Sequence, residues 1–349
     1  KSQLRNLLKM RHTWFPYNYT IAEENAETGR PIALPMEYFY PSQSNLKNLS
    51  DQYMWGKDVL VAPYLTQGSN SRSIILPAGE WIDFWAGTVI NGGGSVTKSG
   101  TPDQIPLFLR AGSLIPLMGR EESTLEAYQY DHIRWMHPYK SSGRASAKVF
   151  ADDGLTPDTR SRSEYEEYTL LCDQGQNYAR YRFDLAGPGF PGSADTVEVE
   201  TYVLRFTGTP TSIRLNGVSI PITNNLAAYN SSTTAAYYQA SNQQIRFKFP
   251  WLKTQTIVEI NDAPFNPFED SSYACYGSPY PLDAGLGYSE YLWNNGQTNS
   301  SIQVTSPGDY WVRIKDIDGL FYYDSTRVFV MDAGLPDTLL ICKGGSVYL

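Results

Sequence analysis

Ser73-Ile74-Ile75-Leu76-Pro77-Ala78-Gly79-Glu80-Trp81-Ile82-Asp83-Phe84-Trp85-Ala86-Gly87 is the stretch from which the rest of the chain is read. Two short runs of β-branched and aromatic residues, Ser73–Leu76 and Trp81–Trp85, flank a break rich in Pro and Gly. Such runs, bounded by turn formers, predict strands. The pattern recurs downstream at Leu107–Leu109, Ala147–Phe150, Tyr178–Leu185, Thr196–Phe206, Ser212–Leu215, Gln244–Phe249 and Thr256–Ile260. Many short strands with regular turn signals predict stacked β-sandwiches. In Thr196–Phe206 one face carries Val197, Val199, Thr201, Val203 and Arg205, and the other Glu198, Glu200, Tyr202, Leu204 and Phe206. The apolar side changes midway, which predicts a bulge or a strand that crosses between environments.

Upstream the reading differs. Leu4, Leu7, Leu8, Phe15, Tyr19 and Ala22 recur at helical spacing and predict a helix over 1–28, kinked or split by Pro16. Gly29 and Pro31 stop it. Ile32–Tyr40 reads as a strand weakened by Pro35, which cannot donate to a ladder. A short helix is expected at Asn45–Met54 and a buried strand at Val59–Ala62. Helix, strand and helix in that order suggest one unit of an α/β barrel; a whole barrel needs about 250 residues.

Beyond Asp262-Ala263-Pro264 a linker-like stretch leads into a third region. Tyr291-Leu292-Trp293 reads as a strand with a core Trp, and Gly308–Ile314 has the spacing of a tyrosine corner. Both suit an immunoglobulin-like sandwich. Cys275-Tyr276-Gly277-Ser278 resembles Cys342-Lys343-Gly344-Gly345-Ser346, a weak internal repeat.

The 349 residues carry a net charge of −8, so nucleic acid or an anionic membrane surface is not an expected partner. No apolar run reaches the roughly 20 residues of a membrane span. Charged residues are 18% and aromatics 14% of the chain, with 26 Tyr. Low charge with abundant Tyr suits sugar-ring stacking, and equally suits packed sandwich cores. Cys172, Cys275 and Cys342 are too few and too far apart for a disulfide scaffold or a zinc site.

Few motifs carry chemistry. Gly187-Pro188-Gly189-Phe190-Pro191-Gly192 fits a dinucleotide fingerprint only in form, because its prolines remove amides that a phosphate would need; it reads as a turn. His12, His132 and His137 lack companion ligands in sequence, so no metal is expected. Asp152-Asp153-Gly154 could be a turn, with or without a cation, or an acid pair. Neighbouring strand residues point to opposite faces and converge poorly on one glycosidic bond.

Five separated blocks carry a family resemblance. They run from Gln3-Leu4-Arg5 to Tyr38-Phe39-Tyr40-Pro41, through Asp51–Pro63, Leu76–Gly87 and Ile105–Pro116, to Phe150–Thr156. In this order they resemble the end of the catalytic barrel and the following sandwiches of glycoside hydrolase family 31, which includes α-glucosidases and α-xylosidases. Residues 263–349 more weakly resemble immunoglobulin-like modules of secreted Bacteroidetes proteins. The resemblance implies a mainly β chain: the last helix–strand–helix of a (β/α)8 barrel at 1–64, a proximal sandwich at 65–118 and a distal sandwich at 119–262. An immunoglobulin-like module would follow at 263–334, with a second beginning at 335–349.

It also implies a retaining α-glycosidase acting on oligosaccharide or polysaccharide, secreted or held at a bacterial surface. The family's nucleophile lies in a W-x-D-M-N-E block and its acid is a second Asp, both expected on segments before Lys1. Trp81-Ile82-Asp83 imitates the start of that block but sits inside the W-I-D-F-W-A-G of the proximal sandwich. No catalytic, cofactor-binding or metal residue is therefore assigned, and no cofactor is expected. Where the family usually has Arg before the barrel proline, this chain has Leu34. A carbohydrate-binding or attachment module is the rival reading, and an α-xylosidase, α-galactosidase or transglucosylase the alternative within the family. Residues 1–60 are expected either to dock on the proximal sandwich or to be poorly ordered, because a lone barrel strand leaves edges unpaired.

Overall fold

The computed structural model describes residues 2–101, 104–122, 124, 128–261, 271–275, 279–285, 288, 290–315 and 321–331. They form two compact units, 1–263 and 264–349. Residues 335–349, with Cys342 and the second half of the repeat, lie outside the described residues.

The first unit opens with α1 (Ser2–Thr13) and α2 (Phe15–Thr28). The break falls at Trp14, and Pro16 sits in the first turn of α2, where a missing N–H costs nothing. Gly29 ends α2 in the left-handed conformation, and its N–H donates to Asn25 O at 2.8 Å.

Two expectations fail next. Ile32–Tyr40 is a two-residue strand, Ala33–Leu34, followed by α3 (Met36–Phe39). Pro35 stands at the N-cap of α3, so the proline that cannot extend a ladder starts a helix instead. Asn45–Met54 is a 3-10 turn at Ser44–Leu46 and then the strand Tyr53–Trp55. That strand pairs antiparallel with Ala33–Leu34 and with Val59–Val61.

A six-stranded antiparallel sheet results, in the order 33–34, 53–55, 59–61, 107–110, 80–83, 89–91. The strands on either side of Pro77 belong to different sheets, since Ser71–Ile75 pairs with Ser95–Ser99 alone. A division at 64/65 would cut through the six-stranded sheet. One at 118/119 would cut through the next, because Ile115–Met118 pairs with His132–Pro138.

That next sheet has the order 222–223, 235–239, 244–251, 197–204, 132–138, 115–118. A third runs 143–151, 165–175, 178–189, 256–260, 213–215, 218–219. Their facing sides enclose one core. Tyr168 meets Trp251 at 5.4 Å and 88°, and Phe183 meets Phe249 at 5.2 Å and 80°, the edge-to-face geometry that rings prefer.

Thr196–Phe206 needs no bulge. Val197, Val199, Thr201 and Val203 stay buried along an unbroken register with Gln244–Trp251. The strand ends at Leu204, and Arg205 takes a φ of +63°, which turns Phe206 into the core. The apolar pattern switches because the strand stops.

Helix α2 serves both layers. Trp14, Tyr17 and Ile21 pack with Val59, Val61, Leu107 and Leu109, whereas Phe15 and Tyr19 pack on the sandwich core. The first residues are therefore docked on both sandwiches and not on the proximal one alone. In the second unit, 271–275, 321–331, 308–315 and 290–293 form one sheet, and 280–283 pairs with 301–304. Trp293 is buried with its indole N–H donating to Asn299 O at 2.8 Å, and Tyr310 Oη donates to Ser306 O at 2.9 Å.

Candidate functional site

The turn Gly56-Lys57-Asp58 joins two strands of the first sheet at the point where α2 crosses it. Gly56 has a φ of +61°, and a Cβ there would stand 2.3 Å from Tyr17 Oη, so only glycine lets α2 approach this closely. Its N–H donates to Ile32 O at 2.8 Å. Tyr17 Oη donates to Trp55 O at 2.6 Å, and Trp55 Nε1 donates to Asn18 Oδ1 at 2.9 Å. Burial, and then the neighbouring Asp58, hold the Tyr17 phenol well above its ordinary range, so it remains a donor.

Asp58 is buried. Its Oδ1 accepts from Arg110 through Nε at 3.1 Å and Nη2 at 2.5 Å, and Arg110 N donates to Asp58 O at 2.9 Å. This pair fastens the turn to the strand Leu107–Arg110 and leads directly into Ile115–Met118 of the next sheet.

Two clefts open beside it. One, of about 390 Å³, has largely apolar walls that include Ile21, Pro31, Leu114, Pro116 and Leu171. The other, of about 280 Å³, is polar and borders Arg110, Lys140, Arg144 and Gln174. Lys57, Asp58 and Ser146 line both.

The acids singled out in sequence lie elsewhere and are held by donors of the chain. Asp83 is buried; its Oδ1 accepts from the amides of Trp85 and Ala86 at 2.9 and 2.8 Å, and it is paired with Lys98. Asp152 is buried; its Oδ1 accepts from Tyr19 Oη at 2.7 Å and Gly154 N at 2.9 Å, and its Oδ2 from Thr159 Oγ1 at 2.8 Å. It anchors α2 to the sandwich. Asp153 is half-buried and accepts from the amides of Leu155 and Thr156 at 3.0 and 2.8 Å, which closes a turn. The Thr156 hydroxyl, which donates to Asp153 Oδ2 at 2.6 Å, and then these amides lower its pKa.

His132 and His137 share a strand but differ in parity, so they face opposite sides. His132 lies in an ion-pair patch, 3.1 Å from Asp131 and 3.3 Å from Glu198. His137 is fully buried; Nδ1 faces Tyr181 Oη at 2.6 Å and Nε2 faces Gln174 Oε1 at 3.0 Å, which requires the proton on Nε2. Burial lowers its pKa to about 4. Cys172 is a free, buried thiol whose pKa burial raises well above the ordinary value. Among the described residues no three His, Cys, Asp or Glu gather as a metal would need. Gly187-Pro188-Gly189 ends the strand Tyr178–Gly189 and continues into a turn.

Sequence reading overlooked Asp58, Arg110, Lys57 and Lys140 as a group. Asp58 and Arg110 are 52 residues apart, each inside a quoted block; the signal was one isolated acid and one isolated base at the ends of neighbouring short strands.

Residues 29–115 match the model of the glycosyl hydrolase family 31 C-terminal domain, which spans the whole six-stranded sheet. The chain is 38% identical over 347 residues to the isomaltosyltransferase of Sporosarcina globispora, covering 93% of this chain and 29% of that protein. It is 31% identical over 174 residues to alpha-glucosidase 2 of Bacillus thermoamyloliquefaciens, covering 50% of this chain and 22% of that one. The chain thus spans less than a third of either relative. A GH31 dextranase of Flavobacterium johnsoniae shares the fold with a TM-score of 0.65 at 20% identity, over 73% of this chain and 32% of that chain. The sheet of residues 33–110 is the family's C-terminal domain, and the chain belongs to the C-terminal region of glycosyl hydrolase family 31.

Proposed function

We propose that the chain is the accessory C-terminal part of a retaining α-glycosidase, in which it supports the domain that carries the reacting carboxylates. One observation carries this reading: Asp58, Asp83 and Asp152, the buried acids of the family-like blocks, are each tied by donors of the chain, and of the three only Asp58 lines either of the two clefts described above. Glycoside cleavage needs two carboxylates about 5–10 Å apart across one bond. The test is turnover of p-nitrophenyl α-glucoside by the purified 349-residue chain. None above a blank is expected, whereas the whole enzyme turns it over with retention of configuration; turnover by the isolated chain contradicts the proposal.

A second reading concerns the fate of the glycosyl group. The match to the isomaltosyltransferase spans 93% of this chain, against 50% for the α-glucosidase. This extent favours transfer of a glycosyl unit to another sugar over hydrolysis. Product analysis of the whole enzyme on maltose and isomaltose distinguishes them, since transfer gives longer oligosaccharides and hydrolysis gives glucose alone.

The second unit we read as an immunoglobulin-like module, supported by buried Trp293 and the Tyr310–Ser306 hydrogen bond. A module of this kind suits a secreted or surface-held enzyme, which cell fractionation tests. No helix among the described residues is long and apolar enough to cross a membrane.

A further inference from the structure

We propose that the polar cleft beside Asp58–Arg110 is an oxyanion site that takes phosphate, either free or as a sugar phosphoester. The cleft, about 280 Å³, is lined by four basic side chains, Lys57, Arg110, Lys140 and Arg144, and one acid, Asp58. The chain as a whole carries −8, so this concentration of positive charge runs against its surroundings. Asp58 neutralises Arg110, and Asp173 pairs with Arg144 at 2.5 Å. Lys57 and Lys140 have no ion pair among the described residues, which leaves two uncompensated cations facing one concavity.

The frame that holds them is built. Lys140 N donates to Gln174 Oε1 at 3.0 Å, and buried Gln174 is itself fixed by His137 at 3.0 Å. Gly112 N donates to Pro138 O at 2.6 Å, which locks the facing loop to the same strand end. Asp58 engages Nε and Nη2 of Arg110 and so orients its guanidinium at the rim. Ser142 and Ser146 also line it. A cleft walled by low-dielectric protein focuses the field of such charges on a small anion. Charge-assisted hydrogen bonds to phosphate oxygens are the strong ones. The cleft bridges the first sheet and the sandwich, so an anion bound there would also join the two.

The test is isothermal titration of the 349-residue chain with inorganic phosphate and, separately, with glucose 6-phosphate, at an ionic strength held constant with sodium chloride. Saturable one-to-one binding of at least one probe is expected. It should weaken by about tenfold in the double variant Lys57→Ala, Lys140→Ala, consistent with the loss of about 1.4 kcal/mol of binding free energy. Both lysines are exposed, so the variant should keep the wild-type melting temperature in chloride, which confirms folding. Equal affinity for the probes assigns the site to the free oxyanion, and tighter binding of glucose 6-phosphate to the phosphoester. No saturable heat with either probe, or unchanged affinity in the folded double variant, overturns the proposal.

Discussion

The six-stranded sheet of residues 33–110 and the two-sheet sandwich of residues 115–260 meet along one seam, yet they are stabilised in different ways. The sheet has strands of two to four residues. Strands this short make few ladder hydrogen bonds each, although Val59–Val61 and Leu107–Leu109 are buried throughout, and they depend on fixed turns, on Asp58–Arg110, on Asp83–Lys98, and on Trp14 and Tyr17 at the start of α2 laid across them. The sandwich has strands of up to twelve residues and one continuous aromatic core. There, buried polar pairs are set into a structure that packing already defines. The lesson concerns recognisability. Where turns and ion pairs specify a fold, particular residues are required at particular positions, and the family match falls on that region, 29–115. Where alternating apolar residues suffice, many sequences serve.

The contrast can be broken or sharpened by experiment. The largest effect is expected from Lys253→Ala in the sandwich. Lys253 Nζ lies 2.7 Å from Glu166 Oε2 and donates to Ser193 Oγ at 2.6 Å, with Glu166 buried and the Lys253 side chain 9% exposed. Removing the cation leaves the buried Glu166 carboxylate without its counter-charge, held by the Tyr168 hydroxyl at 2.7 Å, which costs about 3–5 kcal/mol. Urea denaturation of the variant measures it, and a loss below 1 kcal/mol would show that the pair is not deeply embedded.

His137 comes next. Its folded pKa is about 4 against an ordinary 6.5, so between these values the unfolded chain binds more protons than the folded one. The contribution is complete above pH 6.5 and is lost as pH falls towards 4, amounting to roughly 3 kcal/mol. Urea midpoints between pH 7 and 4 should decline in the wild type. His137→Gln should flatten that component, and parallel curves would show that carboxylates alone cause acid unfolding.

Gly56→Ala tests the turn in the first sheet. A positive φ and the 2.3 Å approach to Tyr17 Oη together predict a loss of about 1–3 kcal/mol. Tryptophan fluorescence should report it early, because Trp14 and Trp55 are in contact at 4.7 Å beside that turn.

The smallest effect is expected for Asp58→Asn, about 1–2 kcal/mol by thermal denaturation. The freed Arg110 is half exposed and can be solvated, unlike Glu166 in the sandwich. A loss as large as that of Lys253→Ala would erase the distinction between the two regions.

Much of this was legible in sequence, for identifiable reasons. Gly29 and the helix before it follow from local capping, and the later strands follow from alternation of apolar side chains. Ile32–Tyr40 was misread because its apolar content suits a strand and a buried helix turn equally, and Met36 is buried through α3. The apparent side switch in Thr196–Phe206 was misread because one positive φ at Arg205, which no periodicity reveals, reverses the chain. Asp152 read as a turn residue, and it is one, yet its second task of anchoring Tyr19 lies 133 residues away.

The amino-acid order alone settled the β-rich character, the stop of the second helix and the membership of the 29–115 region, since each depends on neighbours in the chain or on short fixed blocks. Which strands share a sheet, where α2 rests, and that Lys57, Arg110 and Lys140 border one cleft were decided only by tertiary structure. Those outcomes depend on contacts between residues tens of positions apart, whose free energy appears only when burial and pairing are satisfied together.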